Sequence, residues 1–512
     1  MSNRTLLSKR NIVTVLSTVI FFLLSHAYRM FNLMYSHDSL SVLDITGDMN
    51  WQVSLGRYGV KLIPFIRGTV SSPSLLMWLF LIYLVVSVCL IINYFDIKNN
   101  YLIVVISGVM SCNITVTLSS ASYISWLDIY GLALLMAVSG AYLLKQKKYI
   151  VSLVCLVFSL SLYPAYFSVA IGMIMVSCYT ELSGCEDLKK QMIYIIKRVV
   201  LLIISAVLYF VIWKLLLACT GMDAADSTNG VDQVGSLGIQ SIISNLFLTY
   251  KNYAVWIFKP YVYKCGSSIF ELIIRALLIC AAIVPYILAF IIFISRIVSQ
   301  KKLTVNNFLQ TLIVILFPFG LNFCAFLTSG VEHELMMYAF IIPFIFVSVI
   351  LDNAKIKYSK YIFKSFVVLM IFFIYSNVIY SNQVYNKKAL DDQQAYAFLN
   401  RIVTRVEMCN EYEEGETPVV LIGSLCDTDS LYGTPYYRGV GMTASSITYS
   451  GTLYNYCRNI MGVNMDINMI EDIETLASDN PELAEKINCM DCFPKESSIQ
   501  FIDDTIYVRL SD

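Results

Sequence analysis

A succession of long apolar runs constrains this chain more than any single motif. They lie at Ile12–Ala27, Leu75–Tyr94, Tyr101–Leu118, Ile124–Leu144, Val199–Cys219, Ile269–Ile294, Phe308–Leu327, Leu335–Leu351 and Tyr361–Tyr380. A helix needs roughly 17 to 25 mainly apolar residues to cross a bilayer, where each backbone polar group must be satisfied within the segment. Only 14% of the residues are charged against 57% hydrophobic, whereas soluble domains carry roughly 25% charged residues. We therefore read an integral membrane protein. The stretch from Tyr149 to Tyr179 is either one long helix or two short ones meeting at Tyr163 and Pro164, because proline pushes the residue before it out of the helical region.

Charge chooses between these readings, since Lys and Arg collect in cytoplasmic loops. With Arg4, Lys9 and Arg10 inside, every second loop should be basic. The pattern continues through Lys98, then Lys145, Lys147 and Lys148, then Lys189, Lys190, Lys197 and Arg198, then Arg296, Lys301 and Lys302, then Lys355, Lys357 and Lys360. The alternation holds only if Tyr149–Tyr179 goes in and comes back. The expected fold is thus an all-α polytopic protein of about eleven transmembrane helices. Its N-terminus is cytoplasmic, its C-terminus extracytoplasmic, and its first run an uncleaved span. A transmembrane domain over 1–381 would precede a C-terminal domain over 382–512. The strand-like PVVLIG and the closing IQFIDDTIYVRL mark that domain as a small α+β unit.

Between the first two spans lies YSHDSLSVLDITGDMNWQVSLGRYGVKLIPFIR, from Tyr35 to Arg67. Ionisable residues are costly beside lipid, so a cluster there is a functional candidate. Asp38, Asp44 and Asp48 supply carboxylates, beside His37; Arg57, Lys61 and Arg67 make a basic strip near the headgroups. A helix over Asp44–Leu55 would put Asp44 and Asp48 on one face. Asp128 stands on an apolar span. Glu332, His333 and Glu334 form a polar knot suited to a sugar or an acceptor, and Tyr163 and Tyr166 could stack on a sugar ring. Only His26 and His37 remain as further histidines, too few for a zinc ligand set, so no metal is expected. No cofactor is expected either, and no nucleotide-binding or nucleic-acid-binding pattern occurs. Cys489 and Cys492 form a lone CxxC without a partner motif, and the pairing of the tail cysteines is not readable from sequence.

Taken in order, four elements resemble the multispan glucosyltransferases, often phage-borne, that convert bacterial O-antigen serotype. They are YSHDS at Tyr35–Ser39 with WQVSLGRYG at Trp51–Gly59, SYISWLDIYGLALLMA around Asp128, SLSLYPAYFSVAIG around Tyr163, and YSNQVYNKKALDDQQAYAFLNRIV from Tyr380. The chain departs from that pattern at Ser39, where a second acid is usual, at Tyr58 in place of Trp, and at Pro164 in place of Gln. The resemblance implies a GT-C type enzyme of the bacterial cytoplasmic membrane. Such an enzyme moves glucose from undecaprenyl phosphate to a surface polysaccharide such as O-antigen, with inversion.

It implies as partners a lipid-linked sugar donor, a polysaccharide acceptor, membrane lipid, a flippase and a donor-synthesising transferase. A carboxylate would take the acceptor proton and cations would hold the departing phosphate. Asp38 is the favoured base, with Asp44 and Asp48 behind it. Arg57, Lys61 and Arg67 would bind phosphate, and His37, Asp128, Tyr163, Tyr166, Glu332, His333 and Glu334 would contact sugar or acceptor. The rival reading is a transporter or flippase for lipid-linked sugars. Transporters often carry paired broken helices in repeated halves, and here only one such hairpin is visible.

Overall fold

The computed structural model describes residues 8–36, 39–40, 43–183, 187–225, 239–300, 304–328, 333–353, 359–423, 450–470, 473–474, 476 and 480–510. Among these, nine helices are long and apolar enough to cross a membrane, and Tyr149–Leu162 and Val305–Ile315 are shorter apolar helices. The chain divides into two compact units. One comprises Met1–Phe31, Asp44–Ser120 and Trp126–Asn382; the other comprises Asn32–Leu43, Ala121–Ser125 and Gln383–Asp512. A 49-residue helix, Ser359–Glu407, contributes to both.

In the first unit the expected break at Tyr163 is present: one helix ends at Leu162, Tyr163 is extended (φ −157°), and Pro164–Tyr166 forms a 3-10 turn before Phe167–Ser183. The two arms double back. Ser152 Oγ donates to the Gly140 carbonyl (2.7 Å) and Ser159 Oγ to that of Ala133 (2.8 Å), so the first arm runs antiparallel to the Leu127–Lys145 helix. Glu181, near the end of the second arm, is again within electrostatic reach of Lys145. There the Arg198 guanidinium, 1% exposed in its side chain, pairs with Glu181 at 2.8 Å.

Two segments depart from the simplest reading of the apolar runs. The 308–327 run is divided into Val305–Ile315, Phe317–Leu321 and Phe323–Leu327, with Pro318 withholding a backbone donor at the first break. Between the apolar runs Val199–Cys219 and Ile269–Ile294 lies a 20-residue helix, Ile239–Phe258. This helix lies antiparallel to the broken run: Asn245 Nδ2 donates to the Phe326 carbonyl (3.2 Å) and the Tyr250 hydroxyl to that of Ile315 (2.9 Å). Its Ser241, Ser244, Asn245, Thr249, Lys251 and Asn252 dilute the hydropathy on which span detection depends.

The second unit contains a four-stranded sheet in the order β2-β1-β4-β3, with β1 Val419–Ile422, β2 Ile467–Ile470, β3 Ile499–Ile502 and β4 Thr505–Arg509. The pattern read at PVVLIG and IQFIDDTIYVRL becomes β1 and the β3–β4 hairpin. β1 is parallel to β2 and β4, while β3 is antiparallel to β4. The hairpin turns on Asp503 and Asp504, both at positive φ (46° and 61°), the geometry that suits the right-handed twist of the flanking strands. Strand residues alternate between two cores. Val419, Leu421, Ile506 and Val508 pack with Leu399, Val403 and Leu453; Ile422, Val420 and Tyr507 pack with Leu483 and Ile487.

A candidate sugar-transfer site around Arg57

The first loop is built from short pieces. Asp44 Oδ1 accepts the Thr46 N–H (2.9 Å) and Oδ2 the Thr69 hydroxyl (3.1 Å), while Asp44 bridges Val70. These bonds pin the loop ends and hold the exposed Asp44 carboxyl below its ordinary range, the Thr46 bonds contributing most. The helix that follows is only Met49–Ser54, so Asp44 and Asp48 do not share a helical face.

Asp48 starts a polar relay. Its Oδ2 accepts Gln52 Nε2 (2.6 Å), and Gln52 Oε1 accepts Arg57 Nη1 (2.9 Å). Burial raises the Asp48 pKa, against the Gln52 hydrogen bond and the Arg57 charge. The guanidinium is held over the Tyr163 ring at 4.7 Å, a cation–π contact. Tyr163 is 3% exposed and stacks within a buried tyrosine group, with Tyr130 at 4.6 Å and Tyr166 at 6.0 Å. Tyr166 continues to Tyr338 at 5.3 Å. These rings form the floor beneath Arg57.

The local sequence explains the placement. Gly56 has φ +84°, and a Cβ there would run into the Tyr209 hydroxyl. Next to Arg57, Tyr58 stacks on Tyr209 at 5.8 Å, and a Cβ on Gly59 would come within 2.5 Å of Ser161 Oγ. The GRYG sequence is therefore a close-packing element around one cation. Gly56→Ala carries the left-handed backbone penalty of about 1–2 kcal/mol on top of the Tyr209 clash. We expect a lower melting temperature and about tenfold slower transfer; a parent-like rate would separate Gly56 from the placing of Arg57.

His333 approaches from elsewhere in the chain. Burial, reinforced by the Arg57 charge, lowers its pKa to about 4, so the ring is neutral through the physiological range. Its Nδ1 accepts the Leu335 N–H at 3.3 Å, which places the ring proton on Nε2. Glu334 is 8% exposed and borders a cavity of about 30 Å³ with Asn113, Thr115 and Asn377; that is room for water, not for a hexose.

Arg67 and Asp128 meet each other, Nε to Oδ2 at 3.0 Å, with side chains 1% and 2% exposed. Lys61 is exposed on the 3-10 turn Tyr58–Leu62. His37, Asp38 and Glu332 lie outside the described residues. Two contributors were missed by sequence reasoning, Gln52 and Tyr209, a glutamine and a tyrosine that carry no charge pattern.

A hollow of about 570 Å³ lies between the Phe167–Ser183 and Leu188–Thr220 helices and the broken 305–323 run. Among its lining residues are Ile174, Met175, Leu202, Ala206, Leu312 and Phe323. Its lining also includes Ala206 and Val207, three and two positions before Tyr209 on the same helix, and Gly320. Arg57 and Cys324 both lie within electrostatic reach of Tyr209.

In comparison with known proteins, residues 27–344 match the model of a family described as Glucosyl transferase GtrII. No curated protein sequence matches the chain.

Proposed function

The chain belongs to the glucosyl transferase GtrII family, and from that membership we propose that it transfers a hexose, glucose by resemblance, from undecaprenyl phosphate to a cell-surface polysaccharide such as O-antigen. The observation that carries the lipid-linked donor is an apolar hollow of about 570 Å³, walled in part by the Leu188–Thr220 helix, whose Tyr209 stacks on the neighbour of a half-buried arginine. A nucleotide sugar has no use for an apolar hollow. A polyprenyl phosphate needs both parts, because its chain is apolar and its headgroup anionic.

In the proposed step the acceptor hydroxyl oxygen attacks the anomeric carbon as Asp38 takes its proton. The bond from that carbon to the phosphate oxygen breaks, and its electron pair leaves with the lipid phosphate, so the configuration inverts. Arg57 receives the developing negative charge; its planar fork can meet two phosphate oxygens. Asp48 orients Arg57 through Gln52, and the neutral His333 ring is assigned to the wall that the sugar or acceptor meets. The reaction is placed on the outer face of the bacterial cytoplasmic membrane.

The test fills the hollow. Ala206→Trp should raise KM for a long-chain polyprenyl-phosphate glucose about tenfold, within the range by which apolar pockets discriminate. Transfer from a short-chain analogue should be unchanged. An equal effect on both donors, or none on either, would remove the hollow from donor binding.

A further inference from the structure

The second unit contains a charged cluster that the proposed step does not use. On the later part of the Ser359–Glu407 helix, KKALDD places Lys387 opposite Asp391 and Lys388 opposite Asp392, each pair at 3.4 Å with side chains between 4% and 10% exposed. Removing two such pairs from water costs more than their attraction readily returns, so a purely stabilising role is a poor account of them. Asp392 does something further. Its Oδ2 accepts the backbone N–H of Tyr35 at 2.7 Å, a charge-assisted bond to a residue 357 positions earlier in the chain.

The contacts around this bond all serve the same short segment. The Tyr35 ring meets Tyr456 edge-on at 6.4 Å, and the Tyr456 hydroxyl donates to the Asp392 carbonyl at 3.2 Å. Ser36 N–H donates to Ser39 Oγ (2.8 Å), Leu40 N–H donates to the Ser36 carbonyl (3.0 Å), and Leu40 is buried in the core with Leu399, Val403 and Tyr456. The described residues on both sides of His37 and Asp38 are thereby tied to one helix.

We infer that Asp392, set by Lys388, is a positioning residue for the first-loop segment that carries the base. This rests on the assignment of Asp38 above.

The test compares purified full-length variants in detergent, with donor and polysaccharide supplied. Asp392→Ala should lower kcat about 10²-fold, the scale of a small misplacement of a reacting group, with donor KM near the parent value and the acid limb of the kcat–pH profile displaced. Asp392→Asn, which keeps an acceptor oxygen for Tyr35, should restore most of kcat. Asp392→Glu keeps the charge beside Lys388 but moves the oxygen; it should melt close to the parent yet remain slow, and it decides the matter if the alanine variant does not fold. Asp391→Ala should lose stability with kcat within about twofold. The inference is overturned if the Asp392 variants lose only stability and keep the parent's kcat and pH profile. Asp38→Asn distinguishes the two levels: full transfer by that variant removes the base assignment itself, whereas an inactive Asp38→Asn beside fully active Asp392 variants removes the positioning role alone.

Discussion

Arg57→Ala is expected to lower kcat/KM for hexose transfer by about 10²–10³, the usual consequence of deleting one preorganised donor to developing transition-state charge. The side chain is held from two directions, by Gln52 at 2.9 Å and by the Tyr163 face at 4.7 Å, so its geometry is fixed before the donor arrives. Among the described residues no carboxylate pairs with it directly; Asp48 acts through Gln52, which leaves guanidinium donors for an incoming anion. Arg57→Lys retains the charge but loses the fork and the stacking plane, and it should recover only a small part of the rate. Initial-rate assays with polyprenyl-phosphate glucose, beside thermal melts showing parent-like folding, make the check. Parent-like kinetics in Arg57→Ala would transfer phosphate recognition to other cations, with Lys61 first.

Asp128→Asn or Arg67→Ala is expected to destabilise the protein by about 3–5 kcal/mol, because each leaves a buried charge without its counter-charge. The pair is 3.0 Å apart and almost wholly enclosed. The double variant Arg67→Met/Asp128→Leu removes both charges together and should regain most of the loss, since apolar replacements of a buried ion pair are often neutral or better. Melting of Arg67→Met, Asp128→Leu and the double variant in detergent gives the coupling directly. If the double variant is stable and still transfers glucose, Arg67 and Asp128 serve the architecture; if it is stable but inactive, their proposed contacts with phosphate and sugar stand.

The parts of this molecule that could be read in advance are those set by local chemistry. Pro164 announced the turn between the two arms of the hairpin, and the Ile, Val and Tyr alternation at 499–509 announced a hairpin of strands. What could not be read involves partners far apart in sequence or residues without a distinctive pattern. Nothing near Arg67 points to Asp128, 61 positions away, and nothing in Asn32–Leu43 reveals that it clusters with the C-terminal residues. The Ile239–Phe258 helix escaped because its buried face carries Asn245, which donates to the Phe326 carbonyl, and Thr249, whose hydroxyl donates within the helix to the Asn245 carbonyl. Asp44 and Asp48 looked equivalent by spacing, yet turn chemistry at Thr46 separated them.

The Leu188–Thr220 helix buries only Arg198, Ser205, Trp213 and Leu217. Near one end Arg198 is clasped by Glu181, and toward the other the Trp213 indole N–H donates to the Val53 carbonyl at 2.8 Å. If the donor is the polyprenyl phosphate proposed above, the stretch between these two fastenings is the jamb of a side door, past which an isoprenoid tail would enter from the plane of the bilayer and the spent carrier would leave with both fastenings kept.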